Sequence, residues 1–164
     1  LGGLRADRVD LVGHSMGGLV IVKLFERAPL IRPGRIVLLG SPLHGSRAAS
    51  GFARVPFGKA VLGRGIAEGV LEETAWPRRW SAARPLGIIA GRAGVGLGRL
   101  LTRFEGPNDG VVAVDETRLE GASEHLVLDV NHAGMLFSRA AFAQTAAFLE
   151  HGCFIRDRGA STDR

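Results

Sequence analysis

The sequence is poor in cysteine, lysine and aromatic residues, and each shortage excludes something. Cys153 is the one cysteine among 164 residues, so no internal disulfide can form and a disulfide-stapled secreted scaffold is excluded. Tyrosine is absent and aromatics make up 6% of the chain. Of 21 Lys and Arg, only Lys23 and Lys59 are lysines; the arginines are scattered, and the tightest groups are Arg78–Arg79 and Arg156 with Arg158. A nucleic-acid reader more often shows a basic stripe interleaved with aromatics. The net charge of +5 therefore reads as a solvated surface, and no nucleic-acid partner is expected.

Other patterns are missing too. No run of about 18 apolar residues offers a membrane span. No charged segment leads into an apolar one as in a signal peptide. The expectation is cytoplasmic by default, with any export signal lying ahead of Leu1. There is no His-Glu-x-x-His and no paired-cysteine pattern, so no metal site is expected. Gly94-Val95-Gly96-Leu97-Gly98-Arg99 fails the dinucleotide-loop spacing at Arg99, and Gly58-Lys59 is followed by Ala60 rather than Ser or Thr. No cofactor is expected.

What is present is a globular composition, 46% apolar and 23% charged, with 24 glycines. Glycine at about twice its usual share of ~7% punctuates short apolar runs. Four of these runs read as buried strands: residues 8–12, 35–39, 86–90 and 125–130. Near-continuous Val, Ile and Leu suits strands covered on both faces, as in a parallel sheet. Helical spacing follows over residues 18–28, ending before Pro29, and over 138–150. In the second helix Ser138 is a candidate N-cap and Gly152 a stop, with Phe142, Thr145, Ala146 and Leu149 sharing a face. Strands alternating with helices indicate α/β. Residues 42–84 read as a cap or lid insertion, where Phe52, Phe57, Trp76 and Trp80 either pack the core or wall an acyl pocket. Residues 91–110 form a long Gly-rich loop, and residues 155–164 a polar tail after a domain spanning 1–154.

The segment Val12-Gly13-His14-Ser15-Met16-Gly17-Gly18 contains G-x-S-x-G between a strand and an amphipathic helix. A turn that tight strains the serine backbone. Gly13 and Gly17 would avoid clashes two residues to either side, and Gly18 would let the helix approach the sheet. Ser15 then projects at the positive end of the helix, and the Met16 N–H becomes a donor for a developing oxyanion. Such a serine needs a base and an orienting acid, in the order Ser, Asp, His. Asp109 follows the third strand and its loop, and His132 follows the fourth. His132 would relay the proton while Asp109 fixes its tautomer. Asp115 and Asp129 are rivals for the acid. His14 is read as a packing residue pointing away from the serine, His44 as a loop or pocket-mouth residue, and His125 and His151 as surface residues.

The chain resembles the C-terminal two-thirds of an α/β-hydrolase of the lipase and esterase kind. Within that superfamily it is similar to bacterial lipase-like proteins related to GPI inositol-deacylases. The resemblance rests on Gly-His-Ser-Met-Gly-Gly at residues 13–18, Gly40-Ser41-Pro42-Leu43-His44-Gly45-Ser46, Asn108-Asp109-Gly110-Val111-Val112, and Asn131-His132-Ala133-Gly134-Met135. It implies an α/β-hydrolase-type, mainly parallel sheet with helices on both faces, a cap insertion, and N-terminal strands missing ahead of the elbow. Those strands would carry the second oxyanion donor and would cover the elbow strand, otherwise an exposed apolar edge. The function implied is cleavage of carboxylic esters, small-molecule or lipid, through an acyl-enzyme on Ser15, with membrane contact through a lipid substrate. An acyltransferase of the same fold, and an inactive remnant serving as an interaction module, are the alternatives.

Overall fold

The computed structural model describes residues 7–27, 34–43, 79–81, 83–94 and 106–156. Strand β1 is Leu11–His14, helix α1 is Met16–Arg27, β2 is Ile36–Leu39, β3 is Leu86–Gly91, β4 is Glu124–Leu128 and helix α2 is Arg139–His151. Short 3-10 turns cover Val114–Thr117 and Gly134–Leu136. The strands form one sheet in the order β1-β2-β3-β4, and every pairing is parallel. The fold is α/β, with a helix on each face.

Side chains alternate across a strand, so β2 and β3 each serve two cores. Ile36, Leu38, Leu86 and Ile88 face α1 and pack with Leu19, Ile21, Val22 and Phe25. Val37, Leu39 and Ile89 face the other way and pack with Phe148 of α2, Phe154 and Met135. Ile36, Val37, Leu38, Leu86, Ile88 and Ile89 are all fully buried, which explains why β2 and β3 read as unbroken apolar runs. Among the described strands β1 and β4 are the outer ones, and Val12 on β1 is 48% exposed.

The elbow strand is displaced from its expected place. It occupies Leu11–His14 rather than residues 8–12, because pairing with β2 continues through Gly13↔Leu38 and His14↔Leu39. Helix α1 likewise begins at Met16, directly after Ser15, two residues ahead of expectation. The ends of α2 fall where anticipated. Ser138 Oγ accepts from the Ala141 N–H at 3.3 Å, and Gly152 closes the helix at φ 81°. Its inward side differs from the expected stripe: Ala141 and Phe148 are buried, whereas Phe142 and Ala146 are exposed. The Arg35 guanidinium donates to the Leu149 and Glu150 carbonyls at 2.7 and 2.9 Å, tying the C-terminal end of α2 to the start of β2.

Most of the expected cap insertion, including Phe52, Phe57, Trp76 and His44, lies outside the described residues, as does most of the 91–110 loop. Its described ends belong to the core. Leu43 is buried against the α1 side, and its N–H donates to the Glu116 carbonyl at 2.7 Å. Trp80 stands edge-on to Phe25, 5.3 Å between ring centres, and its indole N–H donates to the Arg84 carbonyl at 2.8 Å. Among the described residues, no helix is long and apolar enough to cross a membrane.

Candidate active site

Because the strands are parallel, all four release their following loops at one edge of the sheet, where ligands of open α/β sheets bind. Ser15 follows β1, Gly40 follows β2, Asp109 lies in the connection after β3, and His132 follows β4.

Ser15 has φ 53°, and it is the only non-glycine residue with positive φ among the described residues. An L-residue adopts this conformation at a cost of order 1–3 kcal/mol, so the surroundings must impose it. They do so at both ends of the residue. The Ser15 N–H donates to the Leu39 carbonyl at 2.9 Å, and its own carbonyl accepts from the Gly18 N–H at 3.1 Å. A β-carbon on Gly13 would lie 2.7 Å from the Gly18 nitrogen, so the turn closes on itself only with glycine there. A β-carbon on Gly18 would lie 2.1 Å from Ser41 Oγ, which is the close helix approach expected of that glycine. Gly17 differs from expectation. A β-carbon there would meet nothing within 4 Å, so no clash dictates glycine at that position. Met16 is the first residue of α1, and its N–H is one of the helix donors without an intrahelical acceptor.

Asp109 and His132 are in direct contact. His132 Nδ1 lies 2.7 Å from Asp109 Oδ2, with the aspartate side chain 1% exposed and the histidine 14%. The other carboxylate oxygen, Oδ1, accepts from the N–H groups of Val111 and Val112 at 2.9 and 2.7 Å. The His132 main-chain N–H donates to the Asp109 carbonyl at 2.9 Å, so backbone and side chain bind the same partner. A buried carboxylate is costly unless its lone pairs are met, and here all three contacts are local to the Asn-Asp-Gly-Val-Val turn and the histidine loop. Asn131 Oδ1 shapes that loop by accepting from the Gly134 N–H at 2.7 Å. The rival acids stand elsewhere. Asp129 is exposed and paired with Arg92, Nη2 to Oδ2 2.9 Å, and Asp115 is 91% exposed beside Arg118.

Three further residues shape this edge: Gly40 and Met135, which belong to the quoted motifs but were given no role there, and Gly91, which the sequence reading passed over. Gly40 has φ 53°, and a β-carbon there would lie 3.0 Å from Asp109 Oδ2 and 3.2 Å from His132 Nδ1. A β-carbon on Gly91 would lie 2.8 Å from the Asp109 β-carbon and 2.4 Å from the Val130 carbonyl. Buried Met135 flanks both glycines. The usable signal was a glycine directly ending a buried strand; periodicity alone does not say what such a glycine makes room for.

His14 corrects its sequence reading. It does not point away from the site: Nε2 lies 3.0 Å from the His132 carbonyl oxygen, and the two rings are 4.7 Å apart at 46°. Since β1 extends to His14, alternation puts its ring on the face shared by Val37, Leu39 and Ile89. Burial pushes its imidazole below the ordinary histidine value, opposed by the bond to the His132 carbonyl. His125 is also corrected from a surface residue to a half-buried one. Its Nε2 lies 2.8 Å from Thr117 Oγ1, which in turn donates to the Val114 carbonyl at 2.6 Å. His151 and Cys153 are exposed.

Ser15 and His132 thus share an edge, joined through His14, yet no hydrogen bond runs from Ser15 Oγ to His132 among the described residues. Nor do the described residues contain a group of three or more His, Cys, Asp or Glu arranged to hold a metal ion. The arrangement offers a hydroxyl at a helix N-terminus, an imidazole oriented by a buried carboxylate, and free backbone donors beside them.

No protein-family model matches the sequence, and a comparison with curated proteins finds no match. Among solved structures, the chain is similar to the lipase BlEst2 of Bacillus licheniformis. The mature form superposes with a TM-score of 0.59 at 20% identity, over 90% of this chain and 66% of that one. The propeptide form gives a TM-score of 0.56 at 19% identity, over 95% of this chain and 38% of that one. The chain therefore spans just under two thirds of the mature lipase, and the likeness is one of fold.

Proposed function

We propose that this chain carries the catalytic machinery of a serine hydrolase acting on carboxylic esters. The observation that supports this most directly is the 2.7 Å contact between His132 Nδ1 and buried Asp109, on the same sheet edge as the strained Ser15. Asp109 holds a proton on Nδ1, which leaves Nε2 as the base. That nitrogen takes the Ser15 proton as Oγ attacks the ester carbonyl. The N–H of Met16 stabilises the oxyanion, and α1 has no acidic residue in its first turn to offset the positive helix end. Collapse of the tetrahedral adduct expels the alcohol, protonated by His132, and leaves an acyl-enzyme on Ser15. Water activated by the same imidazole then releases the acid. Hydrogen bonds between nucleophile and base are often long in substrate-free sites and tighten in the Michaelis complex, so an open Ser15–His132 pair is compatible with this role. The fold shared with a Bacillus lipase supports ester substrates, small-molecule or lipid.

The test is labelling with a fluorophosphonate probe, mapped by mass spectrometry, beside hydrolysis of p-nitrophenyl esters. The expected result is label on Ser15, absent in Ser15→Ala and in His132→Ala. Folded protein with no label on Ser15 overturns the proposal.

A further inference from the structure

We propose that His14 is a positioning residue for His132, its Nε2–H donating to the His132 carbonyl and so fixing the separation between the nucleophile turn and the base. This rests on the serine-hydrolase reading above and assigns a role to a residue which that mechanism does not use.

The need for such a tie follows from topology. Ser15 follows β1 and His132 follows β4, the two outer strands, with β2 and β3 between them. At about 4.8 Å per strand the two loops start roughly 14 Å apart. The base must therefore reach back across the sheet end toward the serine. On its far side His132 is held twice, by Asp109 Oδ2 and by the Asp109 carbonyl. On the near side, among the described residues, the bond from His14 links the two loops, at 3.0 Å. His14 is covalently next to Ser15, so movement of the histidine loop is referred directly to the nucleophile.

The chemistry of the contact fixes the proton. A carbonyl oxygen only accepts, so Nε2 of His14 must be the protonated nitrogen, and a neutral ring then has a bare Nδ1. Burial favours that neutral ring. Neutrality also suits the relay, since the His132 ring is 4.7 Å away and becomes cationic during it, with Asp109 the anion facing the pair.

Two substitutions separate the hydrogen bond from the packing. His14→Gln keeps an N–H donor and loses the ring, whereas His14→Phe keeps a ring and loses the donor. A misplacement near 1 Å can cost up to about a hundredfold in rate. The expected result is a roughly tenfold or greater fall in kcat for His14→Phe, with KM within about twofold, and rescue of most of that loss in His14→Gln. The reverse order, or wild-type kcat in His14→Phe, overturns the proposal. Long-range proton–nitrogen correlation spectra of the wild-type protein give a readout that needs no variant to fold. A proton on His14 Nε2 is expected, and a neutral ring protonated on Nδ1 overturns the contact. Absence of fluorophosphonate label on wild-type Ser15 instead sinks the hydrolase reading, whatever the tautomer spectrum shows.

Discussion

Gly40 stands directly against Asp109: a β-carbon at residue 40 would lie 3.0 Å from Oδ2, the oxygen that meets His132. The residue also has φ 53°, a region that L side chains adopt only at a cost. The end of β2 is therefore part of the site although it supplies no side chain there. Gly40→Ala is expected to lower stability by about 1–3 kcal/mol through backbone strain. It should also slow fluorophosphonate labelling by pushing the carboxylate away from Nδ1. Chemical denaturation and labelling rates on the same sample check both effects, and wild-type values in both would show that the contact is slack.

Adjacent glycines in α1 should behave oppositely. Gly17→Ala adds a methyl to open space in a helix and removes the backbone entropy of glycine, so it should stabilise by roughly 0.5–1 kcal/mol. Gly18→Ala drives a methyl into Ser41, which is fully buried, and should destabilise by about 1–3 kcal/mol. Adding Ser41→Gly removes the 2.1 and 2.6 Å contacts and should recover part of that loss. A double-mutant cycle on denaturation midpoints measures the coupling.

Asp109→Asn tests the orienting role proposed for Asp109. The amide oxygen can still accept from Val111 and Val112, while its NH2 then faces His132 Nδ1 and favours the wrong tautomer. A related substitution in a Ser-His-Asp triad costs about 10⁴ in kcat, and a loss of about that order is expected here. Ester hydrolysis gives the rate and nitrogen-15 spectra give the tautomer. A change in tautomer without a rate loss would separate Asp109 from the chemistry.

Acid should destabilise the fold through two histidines. Burial lowers the His14 imidazole below its ordinary value, and burial together with the Arg118 cation lowers that of His125. Between the ordinary value, about 6.5, and the lowered ones, the unfolded chain binds more protons than the native chain, so stability rises with pH there. The penalty is absent above that window, grows as pH falls through it, and levels off below the lowered values. Urea midpoints from pH 7 to 5 should fall for the wild type, and less steeply for His125→Gln. An equal slope in the two proteins would show that His125 contributes nothing.

Local chemistry determined much of this molecule. The apolar runs ending at Leu39 and Ala90 could be read because both faces of β2 and β3 are covered, leaving no polar position to blur them. The caps of α2 were legible because Ser138 and Gly152 act within a few residues of themselves. Ser15, Asp109 and His132 stood out because a strand–turn–helix glycine pattern, an Asn-Asp-Gly turn and a post-strand histidine are each local signals.

Tertiary structure decided what depends on distance across the sheet. The register of β1 against β2 carries the strand through His14, and that shift of a few residues turns a packing residue toward His132. The inward side of α2 is set by Gly87, whose missing side chain admits Phe148, and no helical periodicity within residues 138–150 contains that fact. Gly40 and Gly91 matter because loops more than 15 residues distant in sequence close over them. The sequence by itself located the described strands and helices to within a few residues and marked the candidate groups, since both follow from nearest neighbours along the chain. Which groups touch was decided by the packing of parallel strands, because the partners in those contacts are brought together only when the sheet forms.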